Sequence, residues 1–536
     1  MIAVLMQLPG APEAQDAIGG PGSPAVTPDV TWSHLAPMLI MFGGALLLVL
    51  LGALLPRGVP RHVASLGTAL VGLASMASAV PVWRDIVDPT EGPTAALAGS
   101  VGVDGFSVFA YWVIAAAVVL VALLFHSYLA REGLEGVEPY ALMMFSAAGG
   151  MVMASANDLV VLFLGLEILS LAAYTLAAMH RRRIASLEAG LKYFVLGAAA
   201  SAFLLYGIAL IYGATGTTKL GTLRTFLDTE GVADDNLLLG GIALLIVGLA
   251  FKVAAVPFHW WTPDVYQGSP TPVTAFMASA IKTGAFAGML RVLVVALPAY
   301  RGDWRPVVET LAVLSLFGGA FGAIVQTDVK RMLAYSSINH AGFILLGVDA
   351  ATERGLSAAL FYLAAYTVMT IGAFAVVTII SRQGDGHTAL SDLRGLSNTR
   401  PGLALALVVF VLAQAGVPFT GGFFAKFGVI AAAVDAGRWW LGVAAMVSAV
   451  VSAYVYLRIV GAMYWGDDEG EAIEPEGEPV VDGAVPVVSA PPTRWELPLP
   501  RTAMVVIGLC LVGVVVMGVF PGLITDLTRQ ATVILG

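Results

Sequence analysis

The sequence predicts an all-α, polytopic membrane protein of about fourteen transmembrane helices, built on two inverted five-helix repeats with discontinuous helices 7 and 12. Three observations carry that expectation. Of the 536 residues, 58% are hydrophobic and only 12% are charged, where a soluble domain has roughly 25% charged residues. Apolar runs of the length a bilayer demands, about 20 residues, recur along nearly the whole chain. Two of those runs are interrupted by the same triplet, in AAVPFHWW at 254–261 and QAGVPFTGG at 414–422. Proline removes a backbone donor and clashes with the preceding turn. A break at membrane depth is tolerated only inside protein or beside water.

In chain order, residues 1–34 are rich in Pro, Gly and Ala and lack a basic start, so they read as a flexible tail and not as a signal peptide. Spans 1 to 14 are expected near 35–55, 62–83, 106–129, 138–155, 157–179, 186–213, 236–258, 271–297, 306–326, 331–349, 354–381, 401–431, 439–465 and 501–525. The first three form a peripheral group within 35–130. Only a tight Asn157–Asp158 turn divides spans 4 and 5. The broken spans, 7 and 12, are five apart, which makes 138–297 and 306–465 the two repeats, with ion sites at their cores. Five is odd, so the second copy is inverted in the membrane. The acidic, Pro-rich stretch 466–500 cannot form a packed core and reads as a mobile cytoplasmic loop. Residues 501–536 hold span 14 and a short tail.

Charge sets orientation and excludes function classes. The loops after odd-numbered spans carry more Lys and Arg than those after even-numbered spans and the C-terminal tail, by a modest margin, and HRRR at 180–183 is the strongest cluster. By the positive-inside rule those loops are cytoplasmic and both termini face outward. A net charge of −9 argues against nucleic acid as a partner. The single cysteine, Cys510, rules out a disulfide framework and a cysteine-ligated iron–sulfur cluster within this chain. The phosphate-cradling glycine motifs GxGxxG and GxxxxGK[ST] do not occur.

The chemistry lies in the charges inside the spans. Of six lysines, Lys192, Lys252, Lys282 and Lys426 fall within predicted spans, while Lys219 and Lys330 fall in loops or at a helix end. A desolvated lysine can give up its proton, whereas arginine effectively cannot. Span 5 contains one carboxylate near its middle, Glu167, whose most economical partner is Lys192 or Lys252. Such a carboxylate would hold its lysine protonated, and its removal would release the proton. Lys252 and Lys426 stand beside the two breaks, with Lys282 between them in chain order. Lys426 follows Gly421–Gly422, where water is expected to reach it and leave it less desolvated. His259 and His340 are the histidines nearest these spans and are weaker relay candidates. A static ion pair that fixes helix register is the competing reading for Glu167, and a satisfied structural histidine for His259 and His340.

Three stretches, PFHWWTPDVYQGSPTPVTAFMASAIK, YSSINHAGF and DLRGLSNTRPGLALALVVFVLAQAGVPFTGGFFAKF, resemble the subunit N branch of the antiporter-like membrane subunits of proton-pumping NADH–quinone oxidoreductase, respiratory complex I. The resemblance covers roughly residues 100–465. It implies fourteen helices, two inverted repeats and broken helices 7 and 12. It also implies proton-translocating roles for Glu167, Lys192, Lys252, Lys282 and Lys426. A lysine at 426 argues against the sister subunit M, which has a glutamate there. The chain's end soon after span 14 argues against sister subunit L. The resemblance places FMN, iron–sulfur clusters and quinone in partner subunits, with no cofactor in this chain. It implies subunits M, K, J and A as neighbours and a bacterial inner membrane as the location. A subunit of a multi-subunit cation/proton antiporter or membrane-bound hydrogenase would share the buried lysines. A passive scaffold would leave them unexplained.

Overall fold

The computed structural model describes residues 30–55, 58–88, 90, 92–229, 231–232, 235–465, 499–532 and 534. Most of the expected N-terminal tail and nearly all of the acidic loop lie outside the described residues. The helices that cross or half-cross the apolar layer are Trp32–Leu54, Arg61–Val87, Gly105–Glu132, Glu138–Ser155, Leu159–Ala177 and Ile184–Thr215 for spans 1 to 6. Span 7 is split into Asp235–Val253 and Trp261–Gly268, and span 8 runs Thr271–Ala296. Spans 9 to 11 are Arg301–Ile324, Val329–Ala350 and Glu353–Ile380. Span 12 is split into Pro401–Ala415 and Gly421–Asp435, span 13 is Trp439–Tyr464 and span 14 is Arg501–Val519. Among the described residues, eleven helices are long and apolar enough to cross a membrane on their own. The other passes, spans 4, 10 and the two halves of 12, are shorter or more polar.

Burial arranges these passes. Spans 8 and 11 are almost wholly enclosed, whereas spans 1, 6 and 13 bury about a third of their apolar windows. A helix that is apolar all round and enclosed belongs at the centre; one apolar but uncovered faces lipid or another subunit. Span 8 reaches its central place through a close approach to span 4. A Cβ on Gly284 would come within 2.8 Å of the Gly150 Cα, so only glycine fits. At the other end of span 8, the buried Arg291 guanidinium donates to both Asp104 carboxylate oxygens at 2.8 and 2.7 Å. Asp104 also caps span 3, accepting from the Ser107 amide at 2.8 Å.

The two repeats share a local device. Asp158, at the start of span 5, accepts from the Val160 amide at 2.7 Å and from the Thr218 hydroxyl at 2.7 Å. The Leu159 and Leu220 amides complete a short bridge across to Thr218 and Asn157. Asp328, at the start of span 10, accepts from the Arg331 amide at 2.9 Å and from the Thr388 hydroxyl. Here Val329 and Leu390 bridge to Thr388 and Thr327 in the same way. The two starts are separated by five passes, so they face opposite sides of the membrane, which is the inversion expected from the paired breaks.

Several boundaries differ from the sequence reading. The first helix begins at Trp32, inside the expected tail. Span 14 ends at Val519, before Pro521, and a separate helix, Gly522–Gln530, follows it. This last helix is tied to span 11 by a 2.9 Å contact between the Thr528 and Ser357 hydroxyls. A hairpin, Thr94–Ala96 with Val101–Val103, was not foreseen, because three-residue strands carry almost no pattern. Its turn accepts the Asn157 side chain on Gly99 and the Asn157 amide on Ser100, both at 2.9 Å, and so pins the bend between spans 4 and 5.

Candidate functional site

Both breaks begin earlier than the proline and glycine signals suggested. The first half of span 7 ends at Val253 and Ala254 takes a left-handed backbone, φ 62°. This leaves Lys252 in the last helical turn, beside the break. In span 12 the first half stops at Ala415, with Gly416 left-handed. Gly421–Gly422 is therefore not the break; it opens the second half-helix. A Cβ on Gly422 would lie 1.8 Å from the Ala413 carbonyl oxygen, so the glycine lets the two halves cross closely.

Lys252 is buried. Its Nζ donates to the Ser170 hydroxyl at 2.8 Å and the Tyr193 hydroxyl at 3.1 Å, and lies 5.5 Å from the Tyr174 ring centre. Tyr193 in turn stacks on Trp261, the first residue of the second half of span 7, at 4.4 Å. The expected Glu167–lysine ion pair does not form. Glu167 is half-buried on span 5, and its Oε1 has no hydrogen-bond partner among the described residues. No hydrogen bond or ion pair joins it to Lys252 among the described residues. Lys252 lies one turn along from Gly248, whose missing side chain lets span 6 approach. The resulting crevice beside Lys252 is lined by Leu166, Ser170, Tyr174 and Ser201.

Lys192 is not enclosed as its place within a span suggested. Its side chain is 42% exposed and pairs with Glu188 at 2.7 Å and Asp264 at 2.8 Å. Asp264 belongs to the second half of span 7 and also takes Arg331 at 2.7 Å. Lys192 thus links span 6 to the half-helix beyond the break, away from Glu167. The missed signals are Glu188 and Asp264 themselves: a carboxylate four residues before a lysine makes a helical pair.

Lys282 lies on enclosed span 8, between two stretches of wider, π-type turns, Met277–Ile281 and Arg291–Ala296. Such turns inside helices concentrate at functional sites. Its Nζ donates to the Ser337 carbonyl at 2.7 Å and hydroxyl at 2.6 Å. The Tyr366 ring lies 5.5 Å from Lys282 Nζ on one side and 4.8 Å from the His340 ring on the other. His340 Nδ1 meets the Tyr362 hydroxyl at 2.6 Å and Nε2 the Tyr456 hydroxyl at 3.1 Å. From Tyr456 the chain continues to Ser336 at 2.6 Å and on to Gln414 at 3.2 Å. Gln414 adjoins Ala415, whose carbonyl accepts from Lys426 Nζ at 3.0 Å. The structure therefore places Lys282 and Lys426 at the two ends of a buried hydrogen-bonded run, His340–Tyr456–Ser336–Gln414, with the Tyr366 ring on the Lys282 side and the Ala415 carbonyl on the Lys426 side. Lys426 is 5% exposed against 3% for Lys252, so it is not the open, wetter site expected from the glycine pair. His259 lies apart from that chain, in the break of span 7, packed on exposed Trp260 at 4.8 Å with no hydrogen-bond partner for its Nδ1 among the described residues.

A buried lysine beside each of two broken helices, with a third on a central helix, defines a class: polytopic membrane proteins of the antiporter-like type. The comparisons with known proteins agree. Residues 156–452 match the family described as NADH:quinone oxidoreductase/Mrp antiporter, transmembrane, and the chain belongs to that family. It is 42% identical, over 81% of its length and 87% of the relative's, to a Trichlorobacter lovleyi protein named NADH-quinone oxidoreductase subunit N. A Chloroflexus aggregans protein of the same name is 39% identical over 95% of this chain and 99% of its own. Among solved structures, a chain of respiratory complex I from Thermus thermophilus with bound aureothin superposes with a TM-score of 0.71 at 35% identity, covering 91% of this chain and 98% of that one.

Proposed function

We propose that this chain is a proton-translocating membrane-arm subunit of the subunit N type in NADH–quinone oxidoreductase. It moves protons through buried Glu and Lys residues while quinone is reduced in neighbouring subunits. The observation that carries the reading is the buried hydrogen-bonded run His340–Tyr456–Ser336–Gln414, which lies between Lys282, on the far side of the Tyr366 ring, and Lys426, bonded to the carbonyl of Ala415 next to Gln414. A lysine ammonium placed at membrane depth costs about 2.5–3.5 kcal/mol on insertion scales. A static helix contact would not need three of them.

The roles follow from the surroundings. Lys252, Lys282 and Lys426 carry protons, each alternating between ammonium and amine. Glu167 biases Lys252 by its charge, and a change at the half-exposed face of span 5 shifts that bias. His340 and its tyrosine partners connect Lys282 to Lys426. Lys192 sets the position of the second half of span 7 through Asp264 and contributes its charge there. His259 is a weaker relay candidate beside the first break.

The chain itself contributes no redox centre to the enzyme. FMN, iron–sulfur clusters and quinone are assigned to partner subunits. Subunits M, K, J and A are the expected neighbours, and the uncovered apolar faces of spans 1, 6 and 13 meet them or lipid. The bacterial inner membrane is the expected location, with both termini outside and residues 466–500 cytoplasmic. Residues 1–34, 35–130, 138–297, 306–465, 466–500 and 501–536 are the working divisions of the chain.

The competing reading is a subunit of a multi-subunit cation/proton antiporter or membrane-bound hydrogenase, since the matched family spans NADH:quinone oxidoreductase and Mrp antiporters. Purifying the chain with its partners decides between them. Flavin- and iron–sulfur-bearing polypeptides, together with NADH-driven proton uptake in sealed vesicles, are expected. A preparation lacking both, but exchanging sodium for protons, would replace the proposal with its competitor.

A further inference from the structure

The sequence assigned Lys330 to a helix end outside the buried set, yet it is fully enclosed. Its Nζ donates to the Ser269 carbonyl at 2.6 Å, in the two-residue link between the second half of span 7 and span 8. Asp385, buried in the connection between spans 11 and 12, lies 3.8 Å away. That carboxylate already has ample partners. Arg131 and Arg183 reach it at 3.2 and 3.0 Å, and the Tyr128 and Ser381 hydroxyls at 3.1 and 2.9 Å. The Thr271 amide, at the start of span 8, adds another donor at 3.2 Å.

Lys330 is therefore not required to neutralise Asp385, and at 3.8 Å it makes no hydrogen bond to it. If a third cation were there only to clamp the helices, arginine would serve better, with its forked, weakly hydrated donors. The opposite end of the molecule shows that alternative. There Arg305 pairs with Asp349 at 3.1 Å and Arg438 with Glu309 at 2.8 Å, with no lysine in the cluster among the described residues. The Asp385 cluster also grades outward. Arg131 and Arg183 are 22% and 17% exposed, while Lys330 and Asp385 are closed off behind them. Inward, Lys330 lies on the same face of span 10 as Ser337, seven residues or about 10.5 Å further on, with Leu333 and Ala334 between them on that face. Ser337 holds Lys282 by two hydrogen bonds.

We infer that Lys330 is the port through which water on the HRRR side of the membrane exchanges protons with Lys282. This rests on the proton-translocation reading and extends it. In one step the Lys330 ammonium loses a proton to a file of waters admitted past Ala334 during turnover, and the neutral Lys282 amine gains one from the far end of that file. The Lys330 amine then takes a proton from water at the Arg131–Arg183 edge, and Lys282 hands its added proton onward through the translocation path. One N–H bond breaks and one forms at each lysine over the cycle.

The test uses the whole complex in sealed inverted vesicles, with subunit content checked. Lys330→Arg keeps the cation but cannot release its proton. The expected result is an assembled complex that still reduces quinone, with proton uptake per NADH clearly below wild type. Ala334→Cys, in a Cys510→Ala background, probes that water path directly. A small membrane-impermeant methanethiosulfonate should label it during turnover from the HRRR side and block uptake. Lys282→Arg is the reference. Normal proton yield in Lys330→Arg, or an unlabelled Ala334→Cys, overturns the port while a defective Lys282→Arg leaves the translocation reading standing. A normal Lys282→Arg would instead count against that reading itself. Should Lys330→Arg not assemble, the labelling of Ala334→Cys decides alone.

Discussion

Lys252 and Lys426 stand at equivalent breaks and differ in what holds them. Lys252 donates to two hydroxyls, Ser170 and Tyr193, and span 5, which supplies Ser170, carries the carboxylate of Glu167 one turn earlier. Lys426 donates to a backbone carbonyl, lies 4.7 Å from the Phe343 ring centre, and has Gln414, Tyr456 and His340 beyond it. The first half of the molecule therefore has a half-buried carboxylate on the span that holds its lysine, whereas among the described residues no carboxylate contacts Lys426 or the His340–Gln414 run. Inversion repeats the backbone device but not the side chains around the lysine, and the function proposed above assigns signal reception to the first half and proton passage to the second.

Substitutions in each half put that contrast to the test. The largest effect is expected where the halves meet. Lys282→Arg should reduce proton uptake to near background in an assembled complex, and uptake at the wild-type yield would mean the two halves do not connect through it. Glu167→Gln comes next. It keeps shape but removes the field on Lys252, so quinone-linked pumping should fall strongly with assembly preserved; normal pumping would remove Glu167 from the mechanism. Lys426→Arg should be as damaging as the same change at Lys252, because both are enclosed to the same degree. A clearly milder defect would restore the wetter site that the glycine pair suggested. Tyr456→Phe removes one hydroxyl from the second chain. At about 0.5–1.5 kcal/mol per hydrogen bond, uptake should slow only a few-fold, and an unchanged rate would show that protons bypass His340. The smallest effect belongs to residues 468–490, outside the described residues. Shortening them should leave activity nearly intact, whereas lost assembly would make them a docking segment.

The connection around Asp385 sets a pH limit on the assembly. Burial pushes its carboxyl up, but Lys330, Arg131, Arg183 and the Ser381 hydroxyl outweigh that and hold it below its usual value. A depressed carboxylate contributes stability that is complete above its unfolded pKa of about 3.9 and is lost as pH falls through the lower folded value. The clamp therefore persists through the physiological range.

Much of the architecture was legible because bilayer thickness and backbone pairing leave few alternatives. The spans, the two breaks and the inverted repeats all follow from apolar length and repeated VPF triplets. Side-chain partners were less legible. Position within a span did not predict enclosure, since Lys192 lies near a helix end that emerges beside Glu188 and Asp264, while Lys330 lies at a helix start covered by a folded connection. The Glu167 pairing failed for a similar reason. A carboxylate's place along one helix says nothing about which way it faces, and Ser170, one turn on, took the lysine instead. The Asp104–Arg291 anchor went unseen because an arginine in an apolar run looks like any other until its partner, nearly 190 residues away, is placed beside it.

Whether the buried lysines work by releasing protons is read from Lys252→Arg. The variant keeps a cation next to Ser170 and Tyr193, while its guanidinium stays protonated because its pKa is above about 12. Proton uptake per NADH would be measured in sealed inverted vesicles, with assembly and quinone reduction followed separately. The account predicts an assembled complex whose proton yield is clearly impaired. Wild-type rate and proton yield would show that Lys252 need not deprotonate, and would contradict the claim.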